Sequence, residues 1–466
     1  MSLKSLALVS ALALAGCVNL APGYQRPAAP VPAQLPAADA AATTALPAWS
    51  ALVRDDRTRQ VVERALANNR DLRVAMLNVE LSRAQLRITD ADRWPTVNLA
   101  AGATREPNSD GKMATTLQAG FSVSSYEVDL LSRLRNLSDA AAANLLATES
   151  ASRSARLSLV SQVVTAYLTL AADEELLALA RDTLRTRAET LRLTTLRASV
   201  GAASDLDLRT AQTLGAQAEA SLAQAERQRA LDVNALNLVV GEPLAAELLP
   251  PAGARLAAAD WLAPVPVGLP SDVLLARPDV MQAEQLLIAA NANIGAARAA
   301  MFPRITLSSS AGVVSDTLKG LVNSGTFAWS LAGQAAVAIF DAGRNRANVK
   351  VSEVNRDIAV AQYEKALQTA FKEAADGLVS QGSWTRQVRA QQDLLAAESE
   401  RTRLTRLKLQ QGAASLLDTL DAERSLVSAN QALVQARLSE LLNRLALYQA
   451  LGGDETLPQA TAAAPR

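Results

Sequence analysis

The chain contains no histidine and a single cysteine, Cys17, in 466 residues. The first absence removes the commonest general base and metal ligand. The second leaves no internal disulfide and no Cys-His pair. Ser-His chemistry and metal sites therefore have almost no raw material. The sequence also offers no Gly-rich phosphate loop and no paired carboxylates tied to a cleft, so an enzyme of the cell envelope is disfavoured. Lys+Arg and Asp+Glu both total 46, and a chain without net charge has no field that would gather nucleic acid. No apolar run reaches the ~20 residues of a membrane-spanning helix.

What the chain has instead is a repeat. Gly201-Ala202-Ala203-Ser204-Asp205-Leu206-Asp207 returns as Gly412-Ala413-Ala414-Ser415-Leu416-Leu417-Asp418, 211 positions on. Each copy lies between two long Ala/Leu-rich helical runs. The glycine ends one helix and the serine caps the next, so each copy reads as the hinge of a helical hairpin. Arg133 and Arg344, Arg135 and Arg346, and Gly241 and Gly452 share the 211-residue offset, while Asp71/Asp279 and Pro95/Pro303 stand 208 apart. The three-residue difference belongs in a loop between Pro95 and Arg133. Solenoid repeats are ~20–50 residues long, so this is duplication of a whole architecture.

Taken in order, residues 1–16 have signal-peptide anatomy: Lys4, an apolar run from Leu6 to Ala15, then Gly16-Cys17. Leu14-Ala15-Gly16-Cys17 resembles the lipobox of bacterial lipoproteins, which implies cleavage before Cys17 and acyl chains on it. Residues 17–50, rich in Pro and Ala, read as an extended strap. Repeat 1 spans 51–242: a helix from about Arg57 to Arg93, interrupted near Asn68-Asn69, then a β-hairpin over about 96–128 and a helical hairpin over about 133–240. Repeat 2 spans 277–452, with a β-hairpin over about 304–340 and a helical hairpin over about 344–451. Residues 243–276 join the copies, with Trp261 as a packing anchor, and 453–466 form a tail without packing signals.

The hairpin assignment rests on a change of period. After Pro95, Val97 and Leu99 alternate with Thr96 and Asn98, and Leu117, Ala119, Phe121 and Val123 alternate with Gln118, Gly120 and Ser122. In repeat 2, Ile305 and Leu307 alternate with Thr306 and Ser308. Phe327, Trp329, Leu331, Val337 and Ile339 share one face. Arg105–Lys112 and Asp316–Gly325 read as polar turns. Strands ~10 residues long suit a tilted transmembrane strand. The other reading is a small soluble sheet packed on the helices; if the strands sit in lipid, four cannot close a barrel, since the smallest spanning barrels have ~8, so several chains must contribute to one. The run from Arg133 to Ala198 would, unbroken, form a helix roughly 100 Å long.

Several segments are similar to one family. Arg277-Pro278-Asp279-Val280, Ala283-Glu284, Ala289-Ala290-Asn291-Ala292, Ile294-Gly295, Ala297-Arg298-Ala299-Ala300 and Phe302-Pro303 resemble the signature of TolC/OprM-like outer-membrane channels, in particular the lipidated, NodT-like outer-membrane factors of efflux pumps. Tyr126–Leu130, Phe340–Arg344 and Asn19–Pro27 resemble further motifs of that branch. Leu131-Ser132 departs from the pattern, which has an aromatic residue and Gly there. The resemblance implies a mostly α fold with a membrane β-barrel portion: a homotrimer whose four strands per chain form a 12-stranded barrel, continued by a periplasmic helical tunnel. It implies a passive conduit partnered by a periplasmic membrane-fusion adaptor and an inner-membrane RND-type transporter, with outer-membrane lipid around the barrel. It implies no cofactor apart from the covalent lipid on Cys17, and no nucleic acid.

The two hinges, with Gly201, Ser204, Asp207, Gly412, Ser415 and Asp418, would then lie at the periplasmic tip where the adaptor docks. Leu417 and Asp421 match the family's aperture-closing Leu and Asp. In repeat 1 the equivalent positions hold Leu206 and Thr210. Asp207 and Asp418 read equally as pore-lining acids or as capping carboxylates near helix starts. Protein secretion is the alternative channel function, and a lipidated coiled-coil scaffold without a pore is the alternative outside that class.

Overall fold

The structure, a computed structural model, describes residues 18–36, 46–257, 260–265, 268–323 and 326–453. The signal peptide, Cys17, part of the strap and most of the tail lie outside the described residues. The chain divides into two compact units. One comprises the chain up to Ala28, Leu77–Ser150 and Gln282–Lys365; the other comprises Ala29–Met76, Ala151–Met281 and the chain from Ala366 on.

Helices α1 (Asp56–Asn68) and α2 (Arg70–Ala91) precede strands β1 (Val97–Pro107) and β2 (Met113–Glu127). Helices α3 (Arg133–Ser199) and α4 (Asp205–Val240) complete repeat 1. Repeat 2 runs α5 (Pro278–Ala299), β3 (Arg304–Ser315), α6 (Leu318–Asn323), β4 (Thr326–Ala336), α7 (Arg344–Gln410) and α8 (Leu416–Ala450).

The first unit holds one antiparallel sheet in the order β1-β2-β3-β4, so the two hairpins pair through β2 and β3. The polar stretch expected to be a turn at Arg105–Lys112 is shorter than that: Arg105, Glu106 and Pro107 continue β1 and pair with Thr115, Ala114 and Met113. Polarity alone does not end a strand whose backbone still finds a partner, and Pro107 sits at the last position, where its missing N–H costs no ladder bond. The loop after β3 likewise departs from a simple turn, because it contains α6. Strand β4 ends at Ala336, so Val337 and Ile339 lie beyond it.

At the strand-to-helix junctions both repeats turn through left-handed backbone. Ala342 and Gly343 have φ of 54° and 84°, and Ser132, the counterpart of Gly343, has φ of 56°. The departure noted at Leu131-Ser132 therefore keeps the bend and makes it with a residue that carries a Cβ.

In the second unit, the face carrying Leu157, Val160, Val164 and Tyr167 is buried. Trp261 is buried with its ring 6.2 Å from that of Tyr167, and its indole N–H donates to the Leu256 carbonyl. Helices α7 and α8 approach closely at Gly377, where an added Cβ would meet Leu447 Cδ1 at 3.1 Å. The duplication extends to helix ends. Asn69 Nδ2 donates to the carbonyl of Val239 near the end of α4, at 2.7 Å. Its counterpart Arg277 donates to the carbonyl of Ala450, at the end of α8, at 2.6 Å. Each satisfies a helix-terminal carbonyl that has no partner within its own helix.

Candidate functional site

Two features stand out, one in each unit. In the first unit it is the sheet. Because side chains alternate across a strand, the register sorts them into two faces. Leu99, Phe121, Ala311 and Trp329 form one cross-strand row, and Ala101, Ala119, Val313 and Phe327 form the next. On this face Val97, Leu99, Phe121, Phe327, Trp329 and Leu331 are all exposed. The row between these two lies on the other face and runs Ala100, Gly120, Gly312 and Ala328; beside it run Asn98, Ser122, Ser310 and Ser330, with Ser310 and Ser330 hydroxyls 2.8 Å apart. A Cβ on Gly120 would stand 2.4 Å from the Ala311 carbonyl oxygen, and one on Gly312 would stand 2.3 Å from that of Ala119. Only glycine permits this approach of β2 to β3.

A sheet with large apolar side chains exposed on one face and Ser, Asn, Gln and Gly on the other is the reverse of a soluble sheet over a core. Its strands of 11 to 15 residues match or exceed the ~9–11 needed to cross a bilayer at a tilt. β1 and β4 are its edges. Among the described residues no helix is long and apolar enough to cross a membrane.

In the second unit it is the pair of hinges. Gly201 and Gly412 have φ of 73° and 72°. Ala202 N–H donates to the Arg197 carbonyl and Ala413 N–H to that of Lys408, both at 2.8 Å, which closes each preceding helix in a left-handed cap. Ser204 Oγ accepts from the Asp207 N–H at 3.1 Å, while the Asp207 carboxylate accepts from the Ser204 N–H and hydroxyl. Ser415 and Asp418 repeat the arrangement. These are capping boxes. The serine hydroxyls, followed by the backbone bonds, hold both carboxyls below the ordinary Asp range. Of the two roles open for Asp207 and Asp418 from sequence, the geometry supplies the capping one.

Leu417 and Asp421 lie one turn apart at the start of α8. Leu417 is 68 % exposed whereas Leu420 is 4 % exposed, so Leu417 is not part of its own protomer's core. Asp421 accepts from Arg424 at 2.6 Å and lies 3.9 Å from Arg401. In repeat 1, Leu206 is equally exposed, and the Thr210 hydroxyl turns back to the Leu206 carbonyl.

A cluster absent from the sequence reading sits beside them. Glu423, buried, accepts from Arg187 at 2.6 Å and from Arg406 at 2.8 Å, joining α8 to α3 and α7. The signal in the sequence is faint: Glu423 stands three residues after buried Leu420, a charge on an apolar face.

Strands of bilayer-crossing length with an apolar face exposed, together with long, capped helical hairpins, define a membrane β-sheet protein with a helical extension. The comparisons agree. The chain belongs to the outer membrane efflux protein family, whose model matches residues 61–242 and 269–453. It is 43 % identical over 474 residues to the solvent efflux pump outer membrane protein SrpC of Pseudomonas putida, covering 98 % of this chain and 100 % of that one. It is 38 % identical over 456 residues to the cation efflux system protein CusC of Escherichia coli, covering 97 % and 98 %. Among solved structures, the open state of the MtrE outer membrane channel of Neisseria gonorrhoeae superposes with a TM-score of 0.85 at 35 % identity, covering 93 % of this chain and 98 % of that one. The protein is an outer-membrane efflux channel with the barrel-and-helical-tunnel fold of the TolC-like channels.

Proposed function

We propose that three copies of this chain form one passive conduit for small organic molecules, supplied by an inner-membrane RND-type transporter through a periplasmic adaptor. The observation that carries assembly is the four-stranded sheet with its apolar face exposed and its two edges unclosed, and the number three is what the family resemblance implies. Open edges in hydrocarbon leave backbone groups without partners, so β1 of one copy must pair with β4 of the next. Three copies supply twelve strands. Small organic cargo is favoured by the likeness to relatives named for solvent and toluene efflux. A relative named for cation efflux exists as well, but a chain with no histidine, five methionines and one cysteine holds few soft cation ligands.

Within this reading, Leu417 and Asp421 form stacked apolar and acidic rings that narrow the periplasmic end, gating by dewetting and charge. The cations beside Asp421, Arg401 and Arg424, moderate that acidic ring. The exposed tips around Gly201, Ser204 and Asp207, and around Gly412, Ser415 and Asp418, receive the adaptor. Cys17 carries the lipid that anchors the strap.

The test is complementation. A strain lacking its own outer-membrane channel, given this chain with its cognate adaptor and transporter, should regain tolerance of toluene and amphiphilic drugs. Restored secretion of a protein cargo without restored tolerance would move the reading to protein export.

A further inference from the structure

We propose that the groove where the sheet meets the helices is a seat for an acyl chain of the lipid on Cys17. The inference rests on the reading of Cys17 as the lipid attachment site and adds a defined place for that lipid on the protein.

The first described residues of the strap are pinned rather than draped. Val18 N–H donates to the Leu130 carbonyl at 3.2 Å. Asn19 Oδ1 accepts from Asn136 Nδ2 and from the Ala21 N–H, both at 2.9 Å. The Pro22 carbonyl accepts from Asn291 Nδ2 at 2.7 Å. The Tyr24 hydroxyl and the Arg26 guanidinium both donate to Glu284, at 3.0 Å and 2.7 Å. The fit is close enough to require glycine at 295, where a Cβ would stand 2.7 Å from that of Ala21 and 2.5 Å from Asn136 Nδ2.

This register delivers the strap to a groove of about 260 Å³ that Leu130 itself lines, with Leu131, Phe302 and Pro303 among its apolar walls. Cys17 is joined covalently to Val18, and consecutive Cα atoms stand ~3.8 Å apart. Val18 is held at Leu130, which lines the groove, so the groove is within reach of an acyl chain carried one residue earlier. The volume equals that of roughly nine waters, enough for a stretch of one chain. Phe302 is half-exposed, so the groove opens to the surroundings of the sheet's end.

Charge decides between an acyl chain and a phospholipid headgroup. The cations lining the groove, Arg133 and Arg304, both pair with Glu127, at 2.7 Å and 3.2 Å, and Asp129 adds a second carboxylate. Two arginines balanced by two acids leave no surplus positive charge for a phosphate. The remaining apolar wall suits hydrocarbon.

The test uses the full-length protein made in cells fed a fatty acid with a photoreactive diazirine in its chain. After irradiation of the purified oligomer and proteolysis, mass spectrometry should find the acylated peptide beginning at Cys17 joined to peptides containing Leu130 or Phe302 of the same protein. Filling the exposed lining position by Ala300→Trp should abolish that joined pair while the acyl mass on Cys17 is unchanged. An acylated Cys17 whose crosslinks go only to bulk lipid, or a free phospholipid crosslinked to Leu130 and Phe302 in its place, would overturn the groove assignment alone. An unacylated mature N-terminus would overturn both the assignment and the anchor reading beneath it.

Discussion

At the scale of single residues, strain and burial mark positions that the repeat alone does not explain. Ser132 holds a left-handed backbone where repeat 2 has Gly343. A side chain in that region costs roughly 1–2 kcal/mol, so Ser132→Gly should raise the thermal midpoint of the helical signal, by an amount worth about 1 kcal/mol after the entropy of glycine is counted. A lowered midpoint would show that the buried serine contributes more than its strain costs. Asp173 of α3 is buried beside Asp232 of α4, and burial, followed by that neighbouring carboxyl, pushes it up to about 8. A carboxyl raised on folding binds its proton more tightly in the native state, so its stabilising contribution is complete below the ordinary Asp value. That contribution is lost as pH rises toward 8. Asp173→Asn should therefore flatten the fall in melting temperature between pH 5 and pH 8, as read by circular dichroism. An unchanged profile would remove the pair from the account. Nothing in the local sequence flags Asp173, because its partner is 59 positions away and only the folded hairpin brings them together.

At the scale of elements, the hinges were the most legible feature. Their signal is local: a left-handed glycine, a capping serine and an aspartate three residues on, written twice. The strands were legible by alternation, but their ends were not. Pairing carries β1 on to Pro107 through a polar stretch, and α6 is too short to show a helical period. The irregularity between Val123 and Tyr126, where Ser125 has φ of 64°, has no signature in sequence. The Glu423 cluster depended on three distant helix positions and was missed for the same reason as Asp173. The two faces of the sheet make opposite predictions. Trp329→Lys places a charge on the outward apolar face, where one near the bilayer midplane costs about 2–4 kcal/mol. Ser330→Lys places it on the polar face. The first should reduce the yield of heat-modifiable oligomer in outer-membrane extracts, and the second should leave it near normal. Equal losses would mean that the faces are wrongly assigned.

At the scale of the whole molecule, duplication answers a problem of number. One hairpin per repeat gives four strands per chain, paired β1-β2-β3-β4, and only assembly closes the edges that remain. The same duplication places two hinges in each chain, but not two equal ones. Repeat 2 carries Leu417 with Asp421, whereas repeat 1 carries Leu206 with Thr210. The Leu-Asp pair proposed for the gate is therefore present only in the second. The proposed pore has its resting constriction at that hinge, and the decisive measurement is conductance of the purified protein in a planar bilayer. Wild type should show small, rare openings, and Leu417→Ala/Asp421→Ala larger and steadier ones. A folded oligomer that conducts in neither form would contradict the account.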